Sequence, residues 1–246
     1  MILTVSREKE INERKNIENL IGMRVDGLLI CLSQETSDSN IFSMLKQMKI
    51  PAVFFDRTFE NIGFPSVVFD DKEGAVNALE KIIKSGYTRI AHFGGYRQTN
   101  IGKQRCEGYK AALKKHGISI RKDWIIEGGF EVKDGYASFK KLISRKDLPE
   151  IIFAVNDRVA LGVYKAANEA GIKIPSEIGI VGYGFNETAD LFQPPLTIIN
   201  QDPKLMGRMA IEMLIKEIDS PTGHKAKKVL IEEEFIWKRS IMKKPH

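Results

Sequence analysis

Short, continuous apolar runs alternate with segments of helical period along almost the whole chain, and no other feature limits the fold as much. GLLICL from Gly27, AVFF from Ala52, RIAHF from Arg89, IIFAV from Ile151 and GIVGY from Gly179 have the pattern of strands covered on both faces. Between them lie helical stripes: Ala75, Val76, Leu79, Ile82 and Ile83; then Cys106, Tyr109 and Leu113; then Ala160, Val163, Tyr164 and Ala167. This alternation predicts βαβ units and parallel sheets. About ten strand candidates are more than one open sheet usually holds, so the chain reads as two doubly wound lobes that it crosses between more than once. Residues 2–5 are expected to form a first short strand, residues 8–23 a polar-faced helix, and VLIEEEFIWKRSI from Val229 one or two final strands. The acidic run 232–234 reads as a solvated strand or turn.

Composition removes several function classes. No apolar run approaches the roughly 18–20 residues that span a bilayer. The opening MILTVSREKEINERK has no basic start, apolar middle and small-residue cleavage site, so no secretory signal is expected. Two cysteines, Cys31 in an apolar run and Cys106 in a helical one, read as free buried thiols and suggest a reducing, cytoplasmic setting. The net charge of +6 is spread along the chain. Its short clusters (KKH at Lys114, KAKK at Lys225, MKKPH at Met242) read as solvated surface, not as a reader of nucleic-acid sequence. His92 is expected in the core, His116 at a helix end, His224 in a loop and His246 at the terminus, a spacing that holds no metal. GYGFNE at Gly182 has two glycines of a phosphate cradle but lacks the third, and there is no nucleophile elbow. The reading is therefore non-enzymatic, with no cofactor and no metal.

In open α/β sheets ligands bind beyond the carboxyl ends of the strands. That rule selects Asp56 and Arg57, Asp70 and Asp71, the loop from Gly94 carrying Arg97 and Thr99, Phe130, Asn156 and Asp157, Gly184 with Phe185, and Asn200, Gln201 and Asp202. Carboxylates, amides, a guanidinium and aromatic rings together suit a small polar ligand such as a sugar. Any one Asp or Asn could serve only as a helix cap; the whole set points to a ligand.

The order and wording of VDGLLI at Val25, IPAVFFDR at Ile50, VVFDDKEGAVNALEKIIKSGYTRIAHFGG at Val67, QRCEGYKAALKKHGI at Gln104, FAVNDRVALGVYKAANEAGIKIPSEIGIVGYG at Phe153, QPPLTIINQDPKLMGRMAIEMLI at Gln193 and the ending FIWKRSI resemble the effector-binding domain of the LacI/GalR family of bacterial transcriptional regulators. The resemblance implies an α/β fold of two interleaved Rossmann-like lobes with parallel sheets, similar to periplasmic binding proteins, with a ligand cleft between the lobes. It puts residues 1–70 plus 203–230 in an N-terminal lobe and residues 71–202 plus 231–246 in a C-terminal lobe. It places crossovers near 70–72, 200–203 and 230–233. By the same resemblance Arg105 matches the family's ligand-binding arginine, Phe130 its stacking aromatic and Asn156 with Asp157 its strand-end pair, while Gln201 falls at the hinge. Asp56 and Asp70 fall at the rim.

Two departures stand out. Gly184, followed by Phe185, occupies the position where the family carries an Asp, and Ile101 a position that is often polar; both argue against a standard monosaccharide. The family's helix-turn-helix and the first strand and helix of its first lobe have no counterpart. Operator DNA is then expected as a partner only through that missing region, and a homodimer is expected. The implied function is allosteric control of DNA binding by a small sugar-like effector; the alternative is a periplasmic sugar-binding protein of an ABC transporter. Arg105→Ala is expected to weaken ligand binding strongly while leaving the ligand-free melting temperature nearly unchanged.

Overall fold

In the computed structural model, which describes residues 1–37, 40–59, 62–145, 147–220 and 226–244, helices and strands alternate as the apolar pattern requires. His224, His246 and Lys225 lie outside the described residues. In chain order the elements begin with α1 (Glu10–Gly22), β1 (Leu28–Ile30), α2 (Ser43–Gln47), β2 (Ala52–Phe55), β3 (Ser66–Phe69) and α3 (Asp71–Lys84). There follow β4 (Ile90–Gly94), α4 (Asn100–Lys115), β5 (Ile125–Glu127), α5 (Val132–Ile143), β6 (Ile151–Ala154) and α6 (Asp157–Glu169). The order ends with β7 (Gly179–Gly184), α7 (Asn186–Ala189), β8 (Thr197–Asn200), α8 (Pro203–Asp219), β9 (Lys228–Ile231) and β10 (Glu234–Ile236). Among the described residues no helix is long and apolar enough to cross a membrane.

These elements divide into two units. Unit 1 comprises Met1–Phe69, Gln98–Asn100 and Asp202–Ile231; unit 2 comprises Asp70–Arg97, Ile101–Gln201 and Glu232–His246. Unit 1 is built on a parallel sheet of order β1-β2-β3-β9. One of its cores gathers Leu28, Ile30, Phe42, Leu45 and Phe54, and the other gathers Val53, Val67, Phe69, Met206, Ala210 and Leu214. Adjacent residues Val53 and Phe54 thus enter different cores, as successive side chains of a strand covered on both faces must.

Unit 2 has the sheet order β10-β8-β7-β6-β4-β5, parallel except where β10 runs antiparallel to β8. Its two faces are also both covered: Ile152, Ala154 and Ile180 enter one core, Ile151, Phe153, Val181 and Tyr183 the other. His92 is fully buried, its ring stacked 4.8 Å from Phe153 and 5.3 Å from Tyr109, so it belongs to the core as expected. Its Nδ1 lies 3.0 Å from the Phe153 carbonyl oxygen, and burial pushes its pKa down to about 4. The helices start where their caps dictate. Asp70 Oδ1 accepts from Glu73 N at 3.3 Å, Asn156 Oδ1 from Val159 N at 2.8 Å, and Asp202 Oδ1 from Lys204 N at 2.8 Å, with Pro203 in the first turn of α8.

Three expectations fail. Residues 2–5 form no strand; Ile2, Leu3 and Val5 are 54%, 83% and 68% exposed. An apolar β-branched stretch becomes a strand only when a neighbour completes its ladder, and in unit 1's sheet β1 is the outermost strand on that side. Cys31 is exposed where a buried thiol was expected, because β1 ends at Ile30 and the apolar run continues past it into a loop. Glu233 is not simply solvated, since its Oε2 is sealed from solvent.

Helices α5 and α6 press together through glycines. A Cβ on Gly135 would meet the Val159 carbonyl oxygen at 2.0 Å, and one on Gly162 would meet the Val132 carbonyl oxygen at 2.0 Å. These neighbours are backbone atoms and cannot swing aside. Gly162→Ala is therefore expected to destabilise the protein by about 1–3 kcal/mol despite the better helix propensity of alanine, measured as a lower urea midpoint at unchanged m-value.

Candidate functional site

In unit 2 the strand order reverses around β4, which lies between β5 and β6, and the loops leaving these three strands supply Arg97, Phe130, Asn156 and Asp157 of the groups singled out in the sequence. Phe130 follows β5 and is buried, its ring in an edge contact with Tyr96 at 5.8 Å. That ring lies directly over Gly95, where a Cβ would be 2.3 Å from Phe130 Cζ. Asn156, after β6, caps α6 through Oδ1 and donates through Nδ2 to the Phe130 carbonyl oxygen at 3.0 Å. Asp157 sits beside the departing end of β7: a Cβ on Gly184 would be 3.1 Å from the Asp157 Cβ, and Thr188 Oγ1 donates to Asp157 Oδ2 at 3.4 Å. Any side chain at 184 would therefore crowd Asp157. Phe185 caps α7 and is half-buried. Arg97 turns outward and pairs with Glu127 at 3.2 Å.

Arg105 lies deeper than a ligand-facing arginine. It is 3% exposed. Its Nε donates to Asp71 Oδ1 at 2.7 Å, Nη1 to the Val155 carbonyl oxygen, and Nη2 to Gln201 Oε1 at 3.0 Å. The guanidinium plane also lies 3.7 Å from the Tyr183 ring centroid, and the Tyr183 hydroxyl donates to the Asp71 carbonyl oxygen. Gln201 Nε2 in turn donates to Asp71 Oδ1 at 3.2 Å and to Glu233 Oε1. Asp70 stands next to this cluster as the α3 cap.

The candidates in unit 1 gather separately. Asp56 closes β2 with φ of 59°, a left-handed conformation unusual for a residue with a side chain, and its carbonyl oxygen accepts from Asn100 Nδ2 at 3.2 Å. Arg57 Nη1 pairs with Glu8 Oε2 at 2.6 Å. Thr99 is buried and, with Arg57, Thr58, Ser33 and Thr36, lines a recess whose free volume of about 10 Å³ is at the lower limit of what one water needs. Behind it the buried Glu13 accepts from Ser33 N at 2.8 Å and from Thr36 Oγ1 at 2.6 Å, and burial holds its pKa above the usual carboxylate range.

Sequence reasoning missed Glu8, Glu13 and Glu233 as members of these networks, and selected Asp71 as a strand-end group without its partner Arg105. Asp71 had a signal, as the second residue of an Asp-Asp pair at a strand end. Glu8 and Glu13 had none, because on a charged helix they look like any solvated carboxylate.

A parallel sheet of this order, with amide, carboxylate and ring groups gathered at its strand ends, defines a ligand-binding α/β domain of the periplasmic-binding type. The chain belongs to the family of periplasmic binding proteins and sugar binding domains of the LacI family, whose profile matches residues 1–239. It is 30% identical over 235 residues to the HTH-type transcriptional repressor PurR of Actinobacillus pleuropneumoniae serotype 3, covering 94% of this chain and 69% of that protein. It is 34% identical over 224 residues to the ribose operon repressor of Escherichia coli K12, covering 90% of this chain and 67% of that protein. The chain thus spans about two thirds of the length of these relatives. The crystal structure of the transcription regulator CcpA of Lactococcus lactis superposes with a TM-score of 0.87 at 26% identity, covering 98% of this chain and 88% of that one. The transcriptional regulator CelR in its cellobiose complex gives 0.85 at 26%, covering 94% and 71%. These relatives are transcription regulators, which favours that reading over the transporter alternative.

The geometry revises the expected effect of Arg105→Ala. Removing the guanidinium strands the Asp71 carboxylate, 2% exposed, without its countercharge. The variant is expected to lose about 3–5 kcal/mol of stability in the absence of any ligand, read by chemical denaturation. A ligand-free stability equal to wild type would show that the pair carries no such weight.

Proposed function

We propose that this chain is the effector-sensing domain of a LacI-family bacterial transcriptional regulator, and that it binds a small polar ligand, a sugar or a sugar-like molecule, without turning it over. The observation that carries the reading is the convergence of Phe130, Asn156 and Asp157 at the strand ends where unit 2's order reverses, in a chain of a sugar-binding family. Phe130 would offer a ring face to the ligand, Asn156 and Asp157 polar contacts, and Gln201 an amide. Arg57, Asp56 and Thr99 are the corresponding groups of unit 1. Arg105 acts chiefly by positioning: its donors are engaged with Asp71, Val155 and Gln201. The glycine at 184 and the ring at 185 suit a ligand with fewer hydroxyls to grip than a plain monosaccharide.

The reading extends to the intact regulator. It works as a homodimer in the cytoplasm and meets operator DNA through a DNA-reading region outside this chain. The effector shifts the operator affinity only by its difference in affinity for the two conformational states.

A thermal-shift screen against sugars, sugar phosphates, nucleosides and purines tests the proposal. A true effector at a hundred times its Kd adds about 2.7 kcal/mol, a rise of several degrees in midpoint. Phe130→Ala is expected to weaken calorimetric binding of that hit by more than about tenfold, in line with the loss of a stacked ring. A hit whose affinity is indifferent to Phe130 and Asn156 would take the ligand away from these strand ends.

A further inference from the structure

Apart from the short excursion at Gln98–Asn100, the chain passes from one unit to the other after Phe69, after Gln201 and after Ile231. Within unit 2, residues next to these passages touch one another: Gln201 Nε2 donates to both Asp71 Oδ1 and Glu233 Oε1. One amide therefore serves two carboxyl groups, while Arg105, the cation of the cluster, is committed to Asp71, the Val155 carbonyl and Gln201. Glu233 is a half-buried residue whose Oε2 is sealed from solvent and has no hydrogen-bond partner among the described residues. That oxygen rests on the glycine in the first turn of α3, where a Cβ on Gly74 would lie 1.8 Å from it.

We propose that the Glu233 carboxyl, docked on Gly74 beside Asp71, is a proton-operated latch on the third connecting segment: the neutral acid stays docked and the carboxylate is driven out. This goes beyond the sensing function and does not depend on the ligand's identity.

The surroundings decide the sign. From α3, Asp70 and Asp71 face Glu233 with like charge; from α4, Arg105 opposes them; from β7 comes the Tyr183 hydroxyl, and from β8 the neutral Gln201. Glu232 and Glu234 flank it in its own segment, and Lys81, further along α3, lies over the Phe235 ring at 5.5 Å. The N-terminus of α3 favours an anion, but Asp70 already occupies its cap. Burial, with Asp71 next, pushes the Glu233 pKa up to about 8. A carboxyl whose folded-state pKa lies above its unfolded value binds more protons folded than unfolded in between. Its contribution to stability is fully present below the unfolded value of about 4.3 and falls away as pH rises towards the folded one. Acidification across the neutral range thus fastens the segment, and alkalinisation loosens it.

The test uses the ligand-free chain. Thermal midpoints of wild type and Glu233→Gln are measured from about pH 6 to about pH 9. The amide keeps the shape and cannot ionise, so the wild-type midpoint is expected to fall by several degrees relative to the variant as pH rises. Parallel curves, or a wild type that gains on the variant at high pH, would overturn the latch. Should the variant fail to fold, the side-chain carboxyl of Glu233 is followed in ¹³C-labelled wild type. A titration midpoint near neutrality or above is expected, and one at the ordinary glutamate value overturns the proposal. Because neither experiment contains an effector, their failure leaves the sensing function standing, and a failed ligand screen leaves the latch standing.

Discussion

A single buried guanidinium organises the strand ends of unit 2. Arg105 reaches from the first part of α4 to Asp71 at the start of α3, to the carbonyl at the end of β6, and to Gln201 just past β8, with the Tyr183 ring against its plane. Arginine suits the place because its planar fork can satisfy three directions at once and cannot shed its charge. Removing two charges from water is costly, and here each of the three guanidinium nitrogens finds an oxygen to offset that cost. Segments far apart in sequence are thereby held to one geometry, and the candidate ligand groups Asn156 and Gln201 belong to those same segments.

That arrangement separates two roles that the family resemblance ran together. Phe130, Asn156 and Asp157 stand at the strand ends and are proposed to meet the ligand; Arg105 and Asp71 are tied to each other and to Gln201. Gly184 falls beside the first group and leaves Asp157 with a glycine for a neighbour. Glu233 belongs to the second, adding a further carboxyl to a cluster whose one cation already serves Asp71.

Much of the fold was legible because β4, β6 and β7 are covered on both faces, and double coverage writes itself into sequence as an unbroken apolar run. The Asp and Asn caps at Asp70, Asn156 and Asp202 were legible as strand-end polar residues, though not which of their two uses each would have. The failures share a cause. Residues 2–5 and Cys31 have strand-like composition, but pairing partners decide whether a strand forms, and these come from elsewhere in the chain. Glu13 and Glu233 sit in acidic, helix- or turn-like contexts that read as solvated; only the segments folded over them, Ser33 with Thr36 in one case and Asp71 with Gln201 in the other, make them buried acids. Arg105 was legible as an important arginine, yet its true neighbour Asp71 lies 34 residues away and Gln201 96 residues away.

The claim that the Asp71–Arg105 pair organises this unit is tested most directly by a double-mutant cycle with Asp71→Asn and Arg105→Met, each variant unfolded in urea. The account predicts strong coupling, towards the upper end of the roughly 0.5–3 kcal/mol seen for interacting residues, with the double variant more stable than the sum of the single losses implies. Single losses that simply add, to within about 0.5 kcal/mol, would contradict it.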